Sequence, residues 1–400
     1  MMMKMKNRFV LLLLLVFTSV VFADEAVVVK LTPPILNSET ILKEVTCTRP
    51  MREGRFNIST EVFEGKKGAK KIVNCYGMGG SGWTTLFGSV EKAISLFQND
   101  FKVSKDTSVR VIGSGCMGLT AAIELSRLGY KVAGISTKEL YDLPSWRAAG
   151  YFGLVSVKTS PEEQLNLDQI GMATFNRYRQ IEQGSHPYIT SDAVRFMPVY
   201  CSKDTESGVE QLESYGLIPA HENVTVDFGN GVLHPDYVKY MTYFMDTTKL
   251  MQQLTGEVNR LGIPIEMKEI ASFADVKEEV VFNCSGLGGR ELNQDQNMIP
   301  VRGHLLLLNE QSGSAHMDYM IYTTVDQDGK EEYVYMFPKA LSVTSSEKEG
   351  VQCRSTLGGT FIPNADQLSP DELEQLDRTE FDKLLDRNAM FFNGTPFPRN

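Results

Sequence analysis

Three kinds of residue in this chain are placed to do chemistry: glycines in turns, a close arginine pair, and a set of tyrosines. The glycines speak first. Val109–Gly118 reads V-R-V-I-G-S-G-C-M-G. Val109, Val111 and Ile112 make a short β-rich run, Gly113, Gly115 and Gly118 break it, and Leu119–Leu128 is helix-like. G-x-G-x-x-G between a strand and a helix is the turn that holds a dinucleotide pyrophosphate. The first glycine permits the tight turn, the second lets backbone approach the phosphates, and the third lets the helix pack on the strand. Ser114, Cys116 and Met117 complete the turn, and the helix start offers N–H groups and positive dipole to the anion. Glu139 lies 21 residues beyond Gly118, near the distance at which an acid takes a ribose hydroxyl.

Other elements must position partners for this turn. Lys71–Tyr76 reads as a strand running into a second glycine turn, Gly77–Gly82. Leu86, Val90, Ile94 and Phe97 then mark one helix face. Glu279–Cys284 is a strand entering a third turn, Ser285-Gly286-Leu287-Gly288-Gly289. Pro144–Gly150 is a small-residue loop whose Ala148, Ala149 and Gly150 permit close approach of a ligand. Arg49 and Arg52 flank Pro50-Met51 and, taken alone, read as a solvated pair. Met320–Val325 and Glu332–Phe337 flank Asp328-Gly329 and read as a hairpin with a loop longer than two residues. Period two puts Tyr333, Tyr335 and Phe337 on one face of its second strand. Helices are expected over 161–185, 203–217, Met245–Leu261 and Ser369–Phe392.

The bulk numbers narrow the classes. Four hundred residues suggest two or three domains. Lys4, Lys6 and Arg8 precede an apolar run from Phe9 to Phe22, and Val21-Phe22-Ala23 ends on a small residue. This is the pattern of a secretory signal cut after Ala23, so the mature protein is expected to be periplasmic or secreted. The run is about 14 residues, short of the ~20 that span a bilayer, and no stable membrane span is expected after cleavage. Removing those 23 residues takes the net charge from −10 to −13. Nucleic acid is therefore not an expected partner, since phosphate binding needs a basic footprint. The six cysteines show no C-x-x-C, and several border glycine turns, which favours buried free thiols over disulfides. The five histidines lack metal-ligand spacing, and no metal site is expected.

Taken together, V-I-G-S-G-C-M-G-L-T-A-A (111–122), R-A-A-G (147–150), V-F-N-C-S-G-L-G-G-R-E-L (281–292), P-V-R-G-H (300–304), V-Y-M-F-P (334–338) and T-L-G-G-T-F (356–361) resemble the FAD-dependent D-amino acid oxidase family, in its order. Family chains then continue with a G-x-R-P-x-R strand and N-Y-G-H-G-G-x-G-x-T before a long helix. Here T-R-P-M-R (48–52) and N-C-Y-G-M-G-G-S-G-W-T (74–84) resemble those pieces, at the front. The resemblance implies a circular permutation, with Gln98–Ser108 as the new linker and with the Phe391 region and Cys47 close in space.

The resemblance implies an α/β fold: a Rossmann-like FAD-binding domain with a mostly antiparallel-sheet substrate domain. The expected division is a signal at 1–23, the FAD-binding domain at 24–190 including the moved segment 45–100, mainly substrate domain at 191–270, a return at 271–300, and mainly substrate domain at 301–400. By position, Arg49 matches the arginine that pairs with the substrate carboxylate, and Tyr335 the tyrosine that meets it. Tyr322 and Tyr333 compete for a second active-site tyrosine. Gly79, Gly80, Gly82, Trp83 and Thr84 match the turn and helix start facing flavin and substrate, with Gly80 nearest the reacting amine. Gly113, Ser114, Gly115, Cys116, Met117, Gly118, Glu139, Ala148, Ala149, Gly150, Ser285 and Gly286 match FAD contacts. The implied reaction is hydride transfer from the Cα of a D-amino acid, glycine or a small amine to flavin N5, giving a 2-oxo acid, ammonia and hydrogen peroxide. Oxygen or another acceptor such as a quinone then takes the electrons, and a flavin-binding envelope protein without turnover is a further alternative. A homo-oligomer is possible. Met78 and Ser81 depart from the family's histidine and aromatic residue, which bears on redox tuning.

Overall fold

The computed structural model describes residues 27–65, 68–155, 160–309, 318–339 and 353–399, with side chains from 355 in the last stretch. The expected signal lies outside these residues.

Two sheets organise the chain. The first comprises β3 (Asn57–Gly65), β4 (Gly68–Tyr76), β5 (Ser108–Ile112), β6 (Lys131–Thr137), β10 (Ile265–Met267) and β11 (Val280–Asn283). Its order is β10-β6-β5-β11-β4-β3, parallel except for β3. The middle strands are buried, as strands covered on both faces must be. Helices α1 (Leu86–Phe101) and α2 (Cys116–Arg127) share a core with them, through Val90, Ile94, Phe97, Leu119 and Ile123. Helix α4 (Pro161–Glu182) packs on α1 where Gly88 leaves room: a Cβ there would lie 2.2 Å from the Ile170 carbonyl oxygen. Ile72, Ile112 and Val281 face a smaller cluster with Ile270, Phe273 and Val276.

The second sheet comprises β1 (Val27–Lys30), β2 (Ile41–Arg52), β7 (Val194–Ser202), β8 (Glu222–Asp227), β9 (Leu233–Met245), β12 (Met298–Asn309), β13 (Met320–Gln327), β14 (Lys330–Pro338), β15 (Cys353–Gly358) and β16 (Ile362–Pro363). It is mostly antiparallel, with β1–β8 and β13–β7 as parallel pairs. Strand β14 alternates as its sequence does. Val334 and Met336 face a core shared with α8 (Pro370–Asn393), while Tyr335 and Phe337 join the core between the two sheets. Ser369 and Glu372 close a capping box at the start of α8, and Gly394 ends it in the left-handed region.

Three features differ from the sequence expectation. First, β1 and β2 fall within 24–190 yet join the second sheet, while β10 and α6 (Thr247–Arg260) fall within 191–270 yet pack with the first. A strand's own residues fix its period, whereas its sheet is fixed by partners distant in sequence. Second, the hairpin loop is only Asp328-Gly329, both at positive φ, because β13 and β14 run further than their apolar cores. Third, the helix expected over 203–217 shrinks to α5 (Glu210–Ser214), held at its start by Glu210 accepting from Ser207.

Candidate active site

Strands β4, β11 and β5 are neighbours and run parallel, so the turns that follow them open at one edge of the sheet. Ligands bind in such crevices, at the carboxyl ends of strands. A cavity of about 910 Å³ lies there, walled on the far side by β2 and β14.

The first wall is made of backbone. Gly113 has φ +98°, and a Cβ on it would lie 2.4 Å from the Cys284 carbonyl oxygen. Gly118 faces away from the cavity; its Cβ would lie 1.9 Å from the Gly113 carbonyl oxygen, so its job is helix–strand packing rather than phosphate contact. Gly115, at the N-cap of α2, offers no side chain, and no acidic residue occupies the helix's first turn. A phosphate fits such a helix start. Ser114 bonds the Glu139 carbonyl (2.8 Å) and the Thr137 hydroxyl (3.0 Å), fastening the turn to the end of β6. Glu139 Oε1 accepts the N–H groups of Leu140, Tyr141 and Asp142, and the N–H groups of Tyr141 and Leu140 chiefly hold its carboxyl below the usual range. Glu139 also lines the same cavity. Ser285 bonds Asn283 Oδ1, and Gly286 follows at positive φ.

The turn after β4 carries Met78, Gly79, Gly80, Gly82, Trp83 and Thr84 on the cavity. Helix α1 begins at Leu86, so Thr84 lies in the turn just before it. Gly79 N–H donates to the Pro50 carbonyl at 2.9 Å, and Met51 bridges Met78. These bonds join the glycine turn to the strand that carries Arg49. The small-residue loop is held from behind. The buried Lys339 Nζ donates to the carbonyls of Trp146 (3.0 Å) and Ala148 (2.6 Å) and to Thr247 Oγ1 (3.0 Å). Gly150 has φ +94°, and a Cβ there would lie 1.9 Å from the Met245 carbonyl oxygen.

The second wall is made of side chains. Arg49 on β2 faces Val301 and its neighbour Gly303 on β12. A Cβ on Gly303 would lie 2.5 Å from Arg49 Nη1, so that glycine is the seat of the guanidinium. Arg49 Nη1 donates to the Thr360 carbonyl at 3.0 Å, and the Tyr335 hydroxyl lies close enough to interact with its charge. Among the described residues no carboxylate pairs with it, and arginine stays charged when buried. Tyr335 lies flat on Gly358-Gly359, where added Cβ atoms would come within 2.0 Å of its ring. Burial pushes the Tyr335 phenol up to about 12 against the opposing charge of Arg49, so it remains a neutral hydroxyl. From α8, the buried Arg387 donates to the Gly359 carbonyl at 2.8 Å. Tyr151, Tyr322 and Phe337 continue the wall: Tyr151 stacks on Phe337 and on Tyr322, each at 5.2 Å between centroids. Tyr333 is 38% exposed, off the cavity, with its ring 5.6 Å from that of Tyr322 between centroids.

A model of the family described as FAD dependent oxidoreductase matches residues 108–396. The chain belongs to this family. Among known relatives, it is 25% identical over 227 residues to D-aspartate oxidase 2 of Caenorhabditis elegans, covering 54% of this chain and 65% of that protein. It is 24% identical over 258 residues to a D-amino-acid oxidase of Schizosaccharomyces pombe, covering 60% and 68%. Among solved structures, fructosamine oxidase (Amadoriase II) of Aspergillus fumigatus matches at 15% identity and TM-score 0.44, covering 74% of this chain and 75% of that one. The family model begins at the fingerprint strand, so the segment bearing Arg49 and the second glycine turn lies outside the match.

The FAD family assignment agrees with the wall that glycines build, where added Cβ atoms would collide with neighbouring backbone. Sequence reasoning missed Tyr151, Lys339, Arg387 and the glycine seats at Gly303 and Gly358-Gly359. A buried lysine after Tyr335-Met336-Phe337-Pro338 was the one local signal available. Among the described residues, no helix is long and apolar enough to cross a membrane.

Proposed function

We propose that the chain oxidises the Cα–N bond of a D-amino acid, or of glycine or a small amine, with oxygen and water consumed, to give a 2-oxo acid (an aldehyde from a simple amine), ammonia and hydrogen peroxide. The observation that carries this reading is the Arg49–Tyr335 pair. A charged guanidinium and a neutral phenol sit side by side on a cavity wall that faces the dinucleotide turns. The Arg49 fork would bind a carboxylate, and Tyr335 beside it keeps its own proton to donate to the same group. FAD, when bound, supplies the two-electron acceptor. Glycine turns 77–82 and 113–117 would hold it by backbone, with loop 148–150 lining the same cavity. The protein's share of the catalysis is orientation: a carboxylate fixed at Arg49 fixes where its Cα can lie.

The test is anaerobic mixing of the purified yellow protein with a panel of D- and L-amino acids. Flavin bleaching by D- but not L-amino acids, with peroxide formed once air is admitted, supports the reading. Bleaching without oxygen consumption points to a quinone-linked enzyme. No bleaching by any amino acid or small amine overturns it.

Two accompanying proposals concern the front of the chain. The first is that residues 41–107 are a circularly permuted counterpart of the family's closing strand and helix. Supporting it, β4 pairs with β11, β2 pairs with β12, and Leu36 and Ile41 pack in one cluster with Phe391, Phe392 and Phe397. A rearranged chain that starts at 108 and carries 41–107 after 399 is expected to fold and bind FAD; an aggregated product without flavin counts against the permutation. The second is export, with a mature N-terminus at Asp24, which intact mass of the protein from its native cell checks.

A further inference from the structure

Among the described residues five cysteines are free and buried: Cys47, Cys75, Cys116, Cys201 and Cys284. Their arrangement is uneven. Asn74 on β4 and Asn283 on β11 are paired in parallel register. The next residues, Cys75 and Cys284, therefore lie side by side with side chains on one face. Cys284 N–H donates to the Ile112 carbonyl at 2.9 Å, so the β-geometry continues through it. Both thiols are buried in the same core and border the cavity, close enough to influence each other. Neighbouring strands stand about 4.8 Å apart, inside the roughly 4.4–6.8 Å between Cα atoms that a disulfide accepts. Cys116, at the start of α2, is close enough to interact with both.

We propose that Cys75 and Cys284 are a redox-active dithiol, closed to a disulfide by peroxide and reopened by a dithiol reductant, at the floor of the dinucleotide cavity. The step balances. Two S–H bonds break and one S–S bond forms; two electrons and two protons pass to hydrogen peroxide, which leaves as two waters. The first thiol takes an oxygen atom to become a sulfenic acid, and the second displaces it as water. The oxidant is the product that the proposed reaction would release into this cavity, and in that respect the inference leans on the proposed function. Its chemistry does not, because peroxide from any source serves. The adjoining Cys75 thiol and burial keep the Cys284 thiol protonated, which slows the first step and makes prolonged exposure the relevant condition. Closure draws together the residues that enter Gly77 and Gly286, so it is expected to reshape the cavity wall rather than the surface.

The experiment uses the purified flavin-containing protein and added hydrogen peroxide, so it does not depend on turnover. After exposure the protein is denatured in a thiol-blocking reagent, digested and analysed by mass spectrometry. The expected result is a Cys75–Cys284 cross-linked peptide pair, loss of two titratable thiols of the six, and recovery of both with dithiothreitol. Flavin absorbance followed alongside should shift on closure and return on reduction. Both peptides recovered as single blocked thiols overturns the proposal, as does oxidation of either cysteine to sulfinic acid without a cross-link. Cys116 appearing in place of Cys75 overturns the assignment. Cys75→Ser checks specificity in the same assay and should abolish the cross-link; no variant is needed for the wild-type result to decide. If peroxide closes the bond in a protein that oxidises no amino acid, the proposed reaction fails and the dithiol stands.

Discussion

The two walls of the cavity work by opposite means. On the dinucleotide side, function lies in missing side chains: Gly113, Gly115 and Gly118 let backbone meet backbone and leave a helix start open. On the opposite side, function lies in the side chains of Arg49 and Tyr335, yet each rests on glycines elsewhere in the chain, at Gly303 and Gly358-Gly359. The difference teaches where to look. A glycine turn acts where it stands in sequence, so a short motif reveals it. A seated side chain acts through strand register, so its seat lies on another strand, 254 residues on for Arg49 (303 − 49) and 23 for Tyr335 (358 − 335).

The comparison breaks most sharply at Arg49. Arg49→Ala removes the side-chain wall's charge and leaves the glycine wall intact. If its carboxylate pair is made in the closed cavity, kcat/KM should fall by about 3–5 kcal/mol, the cost of removing one partner of a buried charge pair. FAD content should stay at the wild-type level. A variant that keeps wild-type kinetics takes Arg49 out of the site, and one that loses flavin instead shows the two walls are not separable.

Gly118→Ala tests the other wall. The new Cβ would meet the Gly113 carbonyl, which is backbone and cannot rotate away. Overpacking of this kind costs about 3 kcal/mol, and Tm and FAD affinity should fall together. Gly115→Ala is the control: its Cβ would lie 3.2 Å from Ser145 Oγ, a side-chain atom that can move. A larger loss at Gly115 than at Gly118 would mean that direct ligand contact outweighs helix packing.

These contrasts explain what could be read from the sequence. The Val109–Gly118 turn and the periods of β4, β11, β14 and α8 are local facts, and local facts survive folding. Arg49 and Tyr335 became candidates through motif order, since neither R-P-M-R nor a row of tyrosines says what it faces. The pairing of β2 with β12 joins residues about 250 positions apart and is what puts Gly303 beneath Arg49. No period or propensity encodes that pairing. For the same reason β1 and β2 read as strands but not as members of the second sheet.

Lys339 joins the two walls. It sits just past β14 and bonds the carbonyls of loop 146–148, which borders the dinucleotide side. Lys339→Met keeps most of the buried volume and removes those bonds. Losing those bonds should cost about 2 kcal/mol, seen as weaker FAD binding and a smaller gap in Tm between FAD-saturated and stripped protein. If stability falls with FAD affinity unchanged, the lysine braces the fold without shaping the cofactor wall.

The smallest effect separates two tyrosines that sequence could not rank. Tyr322 borders the cavity, stacked beside Tyr151, and Tyr333 lies beyond it with more than a third of its surface in water. Their rings contact each other with centroids 5.6 Å apart, so the two side chains are neighbours. The outcomes differ because only one loss reaches the cavity. Tyr322→Phe should lower kcat/KM on D-alanine by about 1 kcal/mol, the net worth of one hydrogen bond. Tyr333→Phe should stay within about 0.5 kcal/mol, as surface changes do. Equal losses would mean that the tyrosine pair acts as one unit and that Tyr333 contributes by orienting Tyr322. A larger loss at Tyr333 would move the second phenol of the site to the outer end of β14 and require the substrate to reach past the stacked rings.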